Sequence, residues 1–213
     1  MTVRVHVTAD ARFGTNSYLV EDDETGDAVI VDANLEPEAV LELALARGVK
    51  VRAILLTHTD LDHVAGLPRL LREFEVPVAV HDAEREHVVR GTSLRGEALP
   101  YQGDPIENVA RLGEGEEYRA GSLAFQVLDT PGHSPGGVTL RNGNVLFTGD
   151  ALFAGSVGRT DLPGGDRGTL LSSIGAKLLP LEDDLVVMSG HGPPSTVGRE
   201  RRLNPFLQDL PPL

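Results

Sequence analysis

The chain has 213 residues, 40% of them hydrophobic, and a formal net charge of −13 at pH 7, which suits one globular domain over residues 1–213 and excludes a disordered chain. The acidic balance argues against nucleic-acid or anionic-membrane partners, and the lack of cysteine excludes disulfides, thiolate metal ligands and a cysteine nucleophile. Because no apolar run approaches the roughly 18 residues of a membrane span and the N-terminus does not resemble a secretory signal, we expect a cytoplasmic protein.

Short runs of β-forming residues recur along the chain, several of them apolar throughout, which is typical of strands covered on both faces. The predicted strands are residues 4–7, 17–20, 28–31, 53–57, 78–80, 123–128, 138–140, 145–148 and 185–188. The predicted helices are residues 37–47, a segment following His63, residues 82–89 and residues 167–179. This order predicts a mixed-sheet sandwich with outer helices. Residues 91–115 are predicted to be a long irregular connection, which is uncommon unless it lines a site or is mobile.

Several apolar strands end in small residues that are followed by side chains able to bind a metal. These side chains are His58, Asp60, Asp62, His63, His133, Asp150 and His191. Turn chemistry alone explains one such segment, but the same pattern at four strand ends indicates a catalytic site. Four potential ligands between positions 58 and 63 fit two neighbouring divalent ions better than one. Imidazoles and carboxylates without thiolates suit Zn, Fe or Mn.

The remaining histidines lack this context. His6, His81 and His87 do not follow a strand in a turn rich in glycine and proline with a nearby carboxylate. We therefore expect them to be surface or core residues rather than metal ligands.

The motifs resemble the metallo-β-lactamase fold, and specifically its glyoxalase II-like (hydroxyacylglutathione hydrolase-like) branch. The family motif His-x-His-x-Asp-His aligns with the chain from His58 to His63 at every named position but 60, and residues 158–161 (Gly-Arg-Thr-Asp) and 204–206 (Asn-Pro-Phe) also look like that branch. The resemblance implies an α+β fold: a four-layer αβ/βα sandwich with two mixed β-sheets, outer helices and a site at one edge between the sheets. A homodimer would also fit the resemblance.

Residue by residue, the resemblance implies two ion sites. The first would take His58, position 60 and His133, and the second would take Asp62, His63 and His191, while Asp150 bridges them. A hydroxide between the ions would be the nucleophile that attacks a small-molecule substrate.

Position 60 departs from the family motif, because Asp60 stands where the family has a histidine. Either the first ion site has lost a ligand, or the carboxylate replaces the imidazole. Flavodiiron proteins resemble the second case, with a glutamate at this place. We favour replacement, because a carboxylate oxygen is a competent donor for Zn, Fe and Mn. Asp60 makes the ligand set one charge less positive, and its harder oxygen donor favours Fe or Mn over Zn at the first position.

The leading hypothesis is a metal-dependent hydrolase that uses a metal-bound hydroxide to cleave a thioester or a related ester-like bond. Asp62 or a metal-bound water would transfer a proton to the leaving group. Arg159 would contact an anionic part of the substrate, or would instead pair with Asp161 to hold its loop. Full-length glyoxalase II has a C-terminal helical domain that has no counterpart before Leu213, so dependence on glutathione is in doubt.

Two other classes remain open. One is a mononuclear-iron persulfide dioxygenase, which resembles the chain at residues 158–161 and holds iron with the residues that match His58, His133 and Asp150. The other is a non-catalytic metal-binding module with a degenerate site. Oxygen consumption with a thiol persulfide distinguishes the first class, and tight metal binding without turnover distinguishes the second.

Overall fold

The structure is a computed structural model and describes residues 3–96 and 101–208. Its first sheet holds six strands in chain order. They are β1 (Val3–Ala9), β2 (Asn16–Asp22), β3 (Asp27–Val31), β4 (Lys50–Leu55), β5 (Val78–His81) and β6 (Val109–Leu112). Strands β1 to β3 pair antiparallel, and β3 to β6 pair parallel. The first sheet is therefore mixed.

The second sheet is also mixed and has the spatial order β14-β13-β10-β9-β8-β7. The strands in this half of the chain are β7 (Glu117–Ala120), β8 (Leu123–Asp129), β9 (Val138–Asn142), β10 (Val145–Gly149), β11 (Leu152–Phe153), β12 (Ser156–Val157), β13 (Val186–Ser189) and β14 (Ser195–Thr196). Only β10 and β13 pair in parallel among the described strands of this sheet, and β11 and β12 form a separate hairpin.

The helices are short; the first five lie between strands in the chain, and the last follows β14. They are α1 (Pro37–Arg47), α2 (Leu61–Val64), α3 (Leu67–Leu71), α4 (Arg85–Arg90), α5 (Arg167–Ser173) and α6 (Val197–Leu203). A 3₁₀ turn at Asp82–Glu84 precedes α4, and a π-helical turn at Ile174–Leu178 continues α5. None of the helices in the described ranges is long and apolar enough to cross a membrane.

Three apolar clusters define the layers of the fold. Between the two sheets, Val31 and Leu55 pack with Phe125 and Phe147. On the outer face of the first sheet, strands β3 and β4 pack against residues of α1 and α3. On the outer face of the second sheet, β10 and β13 pack against α5 and its π-helical turn. This arrangement confirms the predicted α+β, four-layer αβ/βα sandwich, in which inner strands such as β2 and β3 are buried on both faces.

The predicted elements agree with the structure in most places. Every predicted strand overlaps an observed one, and Gly48 closes α1 with a φ of 65°, a conformation that glycine adopts without strain. Asp166 begins α5, where its side chain accepts a hydrogen bond from the Thr169 N–H over 2.6 Å. The apolar runs of the strands and the capping residues of the helices were therefore sufficient to predict these elements from the sequence.

Two predictions differ in part from the structure. The region 91–115 is not irregular throughout, because it contains β6, an edge strand whose few apolar residues are separated by Arg111. The bounds of the second predicted helix differ: α3 (Leu67–Leu71) follows His63 as predicted, but helical structure already begins at Leu61 and is interrupted before Leu67. The interruption arises because the carbonyl of His63 accepts a hydrogen bond from the Ala33 N–H, in the loop that follows β3.

Candidate metal centre

The predicted metal-binding side chains are carried by four segments that follow β4, β8, β10 and β13, the first of which includes α2. The structure brings all of them together in one cleft: His58, Asp60, Asp62, His63, His133, Asp150 and His191. They meet because the parallel strands of each sheet present their carboxyl ends at the same edge. His6, His81 and His87 lie outside the cleft, beside Glu21, Asp129 and Thr92 respectively.

A first group of donors consists of His58, Asp60 and His133. Asp60 Oδ2 lies 3.1 Å from His133 Nε2 and 3.7 Å from His58 Nε2. The three donor atoms lie within 4.8 Å of one another, which is close enough for one ion to contact all three. This is the set that the resemblance implies for the first ion.

A second group of donors consists of Asp62, His63 and His191. Asp62 Oδ2 lies 3.3 Å from His191 Nε2 and 3.7 Å from His63 Nε2. These donors also lie within 4.8 Å of one another. This is the set that the resemblance implies for the second ion.

Asp150 lies between the two groups and faces both. Its Oδ1 is 3.4 Å from His63 Nε2, whereas its Oδ2 is 3.4 Å from His191 Nε2 and 3.7 Å from His133 Nε2. A carboxylate that lies within reach of donors from both groups is suited to bridging two ions.

The hydrogen-bonding state of the cleft tests whether a metal fits. Among the side chains that the structure describes, several buried polar atoms have no hydrogen-bond partner, and four of them lie in this cleft: His58 Nε2, Asp60 Oδ1, His63 Nε2 and Asp150 Oδ1. Such an atom costs about 1–3 kcal/mol when it stays unpaired, so folded proteins rarely collect several in one place. Imidazole nitrogens and carboxylate oxygens are donors for Zn, Fe and Mn, so the residues present fit divalent ions.

The electrostatics of the cleft keep its carboxylates ionised. Burial raises the pKa of Asp60, but the hydrogen bond to His133 and the charges of His58 and Arg95 outweigh it and lower that pKa to about 2. Burial lowers the pKa of His191, but hydrogen bonds to Asp150 and Asp62 outweigh it and raise that pKa to about 10. The carboxylates therefore attract protons onto neighbouring imidazoles, and a metal ion would have to displace these protons.

Asp32 supports His63 from behind and was missed in the sequence. The Asp32 carboxylate accepts hydrogen bonds from His63 Nδ1 (2.9 Å), the Thr57 N–H (2.8 Å) and the Thr57 hydroxyl (2.8 Å). It has a φ of 59°, which is the only left-handed backbone conformation at a non-glycine residue in the described ranges. Such strain persists only where surrounding contacts enforce it. Its position directly after the apolar strand β3 was an available signal.

Glu84 supports the loop that carries the first donor group. It is completely buried, and its carboxylate accepts hydrogen bonds from the Thr59 N–H (2.6 Å), the Thr59 hydroxyl (2.7 Å) and the Gly136 N–H (2.8 Å). Thr59 lies between His58 and Asp60, and Gly136 lies in the loop after His133. Glu84 therefore connects the two loops that hold the first donor group.

The loop between β1 and β2 supports the second donor group. The Thr15 hydroxyl donates to Asp62 Oδ2 over 2.6 Å, and His191 Nδ1 donates to the Phe13 carbonyl over 3.2 Å. Asp10 holds the loop itself, because its carboxylate accepts the N–H groups of Arg12, Phe13 and Thr15. No motif in the sequence marked this loop.

Two arginines border the cleft. The Arg159 guanidinium forms two hydrogen bonds of 2.8 Å with Asp161, which is the loop-holding alternative in the sequence prediction, and the Arg159 carbonyl accepts a hydrogen bond from His133 Nδ1 over 2.8 Å. Arg95 was not predicted as a site residue. It contacts the Asp60 carboxylate and donates to the His133 carbonyl over 2.7 Å. It lies in the region 91–115, whose length had indicated a role at a site.

The cleft in front of the donors has a volume of about 230 Å³. Apolar side chains of Phe13, Leu61 and Leu162 form part of its wall, and the proposed ligands and the two arginines form the rest. The site therefore offers an apolar surface beside a charged centre.

Curated relatives cover nearly the whole chain. Hydroxyacylglutathione hydrolase GloC of Haemophilus influenzae is 35% identical over 96% of this chain and 98% of that protein. The probable metallo-hydrolase YqgX of Bacillus subtilis is 36% identical over 89% of this chain and 90% of that protein.

Solved structures show the same fold. The B3 metallo-beta-lactamase BLEG-1 superposes with a TM-score of 0.88 at 36% identity, covering 96% of this chain and 100% of the other. TTHA1623 in a di-iron-bound form superposes with a TM-score of 0.82 at 40% identity, covering 95% of this chain and 100% of the other. ETHE1 of Myxococcus xanthus superposes with a TM-score of 0.77 at 29% identity, covering 96% of this chain and 84% of the other.

The family model described as the metallo-beta-lactamase superfamily matches residues 10–191, which include every proposed metal ligand from His58 to His191. This match, together with the relatives and the four-layer fold, confirms the resemblance found in the sequence. The chain belongs to the metallo-beta-lactamase superfamily of metal-dependent hydrolases.

Proposed function

We propose that the protein is a metal-dependent hydrolase that cleaves the thioester bond of an acylated thiol. One observation carries the proposal: two groups of three donors, joined by Asp150, open onto a cleft that is large enough for a carbonyl group and its neighbours. The similarity to the hydroxyacylglutathione hydrolase GloC supports the choice of a thioester.

Two ions would be held by the donor groups described above. The first ion would take His58, Asp60 and His133, and the second would take Asp62, His63 and His191, with Asp150 shared. Divalent ions in such a site supply Lewis acidity, which acidifies a water molecule and polarises a carbonyl oxygen.

The chain itself orients these donors. The hydrogen bonds from His63 to Asp32 and from His133 to the Arg159 carbonyl fix each imidazole with Nε2 directed into the cleft. The Thr15 hydroxyl holds the Asp62 carboxylate in the same way. The donors are thus positioned before substrate binds, which lowers the cost of reaching the reactive geometry.

The leaving group is inferred from the acids available in the cleft. Every titratable side chain among the described residues that line the cleft is either a proposed ligand or an arginine. Burial raises the pKa of Asp62, but the charge of His63 and hydrogen bonds from His191 and Thr15 outweigh it and hold that pKa well below its usual range. Asp62 therefore suits the role of ligand better than that of proton donor. A thiol has a pKa of about 8.5 and leaves as a thiolate without protonation, whereas an amine does not.

The dimensions of the cleft favour a substrate that extends beyond it. Whole small-molecule sites usually measure about 300–1,000 Å³, and this cleft has about 230 Å³. Arg95 also borders a wider groove of about 610 Å³, whose other walls include His87, Leu94 and Pro163. The acyl–sulfur bond would lie in the cleft, and the rest of the thiol would extend into this groove.

The proposal is tested by release of free thiol from a hydroxyacylglutathione, from an acyl thioester of a smaller thiol and, for comparison, by opening of a lactone. We expect thioester cleavage that is lost on chelation and restored by Zn²⁺, Mn²⁺ or Fe²⁺. His133→Ala should abolish it, whereas His81→Ala, outside the cleft, should not. Full metal loading without thiol release from either thioester would contradict the proposal and would favour a non-catalytic metal-binding module.

A persulfide dioxygenase is the second candidate. The observation that favours it is the ion pair between Asp60 and Arg95, because an Asp60 held away from metal would leave His58, His133 and Asp150 for a single iron. Oxygen consumption by the iron-loaded protein with glutathione persulfide would support this candidate. Two bound ions per chain would count against it.

A further inference from the structure

Arg95 is the one arginine or lysine whose side chain contacts a proposed metal ligand side chain in the described part of the chain. Its side chain is 8% exposed, and Nη1 contacts Asp60 Oδ2 while Nη2 donates to the His133 carbonyl over 2.7 Å. Both contacts are to residues of the first donor group. Arg95 is therefore built into this side of the centre rather than extended into solvent.

The Asp60 carboxylate can accept more contacts than the one with Arg95. Its Oδ1 is buried without a hydrogen-bond partner, and its Oδ2 faces the imidazoles of His58 and His133 at 3.7 and 3.1 Å. An ionised carboxylate offers about four lone-pair sites, so Asp60 can accept from Arg95 and also bind an ion.

Asp60 and Arg95 together have the same net charge as the histidine that the family motif has at position 60. A guanidinium is always protonated in proteins, so its charge cancels that of the Asp60 carboxylate. Together they are neutral, as is a histidine that binds a metal. Asp60 makes the net charge of the ligand set less positive by one, and the guanidinium of Arg95 restores that positive charge beside it.

We propose that Arg95 acts on the first metal site through Asp60 by cancelling the charge of that carboxylate, so that the Asp60–Arg95 pair serves the site as a neutral replacement for a histidine. The inference rests on the metal centre of the proposed function, but it does not depend on the identity of the substrate.

The proposal predicts an unusual direction for one substitution. In Arg95→Met the Asp60 charge is no longer cancelled and the cation that repels a divalent ion is gone, so the first ion should bind roughly tenfold tighter. A side chain that merely supports the loop would have the opposite effect, because its loss would loosen the donors.

The experiment measures affinity and stoichiometry for Zn²⁺ and Mn²⁺ by competition with a chromophoric chelator, without substrate. Asp60→Asn should lower the affinity for the first ion at least tenfold. Arg95→Lys keeps the charge, so its affinity for the first ion should stay within about threefold of that of the parent. Arg47→Met is the matched control, because it removes a half-buried arginine that pairs with Glu21. Its metal affinity should not change.

Unchanged or weaker binding in a folded Arg95→Met variant would overturn the proposal, as would tighter binding in Arg95→Lys. If Arg95→Met does not fold, Asp60→His and Asp60→His/Arg95→Met decide the matter. The single variant leaves the charge of Arg95 uncancelled, so it should bind the first ion more weakly than the double variant. Equal binding would contradict the proposal. Failure to cleave thioesters would leave these measurements unaffected, so the two proposals can fail separately.

Discussion

His63 donates its Nδ1 hydrogen to the Asp32 carboxylate over 2.9 Å, and both side chains are almost completely buried. The bond fixes the tautomer of the imidazole, so Nε2, which has no hydrogen-bond partner, is the atom presented to the cleft. Burial lowers the pKa of His63, but the charges of Asp32, Asp62 and Asp150 outweigh it and raise that pKa well above its usual value.

Asp32→Asn should weaken metal binding roughly 10–100-fold, which is the usual effect of losing a supporting carboxylate. Asparagine tolerates the left-handed backbone at this position, so the backbone should be retained. Chelator competition measures the affinity. Asp27→Asn is the control, because Asp27 lies at the other end of β3 and pairs with Arg52. Equal losses in both variants would show that Asp32 acts on the fold and not on the ions.

Glu84→Gln should destabilise the protein by about 1–3 kcal/mol, because an amide cannot accept all the hydrogen bonds that the buried carboxylate accepts from Thr59 and Gly136. Metal affinity should fall with it, since Thr59 lies between two proposed ligands. Urea unfolding of the metal-stripped protein and chelator competition measure the two effects.

Glu86→Gln is the matched control for Glu84, because Glu86 lies in α4, is exposed and pairs only with Arg90 among the described residues. Its unfolding free energy should change by less than about 0.5 kcal/mol. A Glu84→Gln variant as stable as this control would contradict the assigned role.

The sequence predicted the proposed ligands but not the residues that hold them. His58, His133, Asp150 and His191 each follow an apolar strand in a turn, which is a local signal. Glu84 and Thr15, by contrast, reach the centre only because the fold brings the 3₁₀ turn before α4 and the β1–β2 loop beside it. Contacts across the fold leave no mark on the neighbouring sequence.

The strands show a similar limit to prediction from sequence, because a strand inside a sheet is easier to predict than one at its edge. Strand β3 is buried along its whole length and is apolar from Ala28 to Val31, so it was predicted. Strand β6 lies at the edge of its sheet and has only four residues, Val109–Leu112, with Arg111 interrupting the apolar ones, so it was not. The contact between Arg95 and Asp60 could not be predicted either, because a long connection gives no register.

Gly190→Ala should disrupt the centre sterically. A Cβ at this position would collide with Asp150 Oδ1 and would lie 2.7 Å from His63 Cε1. We expect the loss of at least one bound ion per chain and a fall in kcat of about 100-fold, since displacements near 1 Å have effects of that size. Metal content and initial rates measure the outcome.

Gly168→Ala is the control for Gly190, because its Cβ would lie 3.5 Å from Asp166 Oδ1, an ordinary contact, within helix α5. It should bind the same number of ions and gain roughly 0.5–1 kcal/mol of stability. A Gly190→Ala variant with full metal content and parental kcat would show that the donors tolerate a shift.

Metal binding should release protons, because the carboxylates of the cleft raise the pKa values of His63, His133 and His191. At pH 7 the metal-stripped protein carries protons on His63 and His191, and a divalent ion displaces them. Affinity should therefore rise with pH, with more than one proton released per chain. Calorimetric titrations in two buffers of different ionisation enthalpy measure the number.

The same pKa values set the stability of the metal-stripped protein. The pKa of His191 is raised to about 10, so the stabilisation that its protonated form provides is fully present below about pH 6.5 and is lost as the pH rises through 10. The metal-stripped protein should thus unfold at a lower urea concentration at pH 9 than at pH 6.5, and His191→Gln should reduce that difference.

The control for proton release uses the same variant. In the calorimetric titration with metal, His191→Gln should release about one proton fewer than the parent, whereas His87→Ala should release the same number as the parent. Identical heats in both buffers would mean that the imidazoles are already neutral before the ions bind.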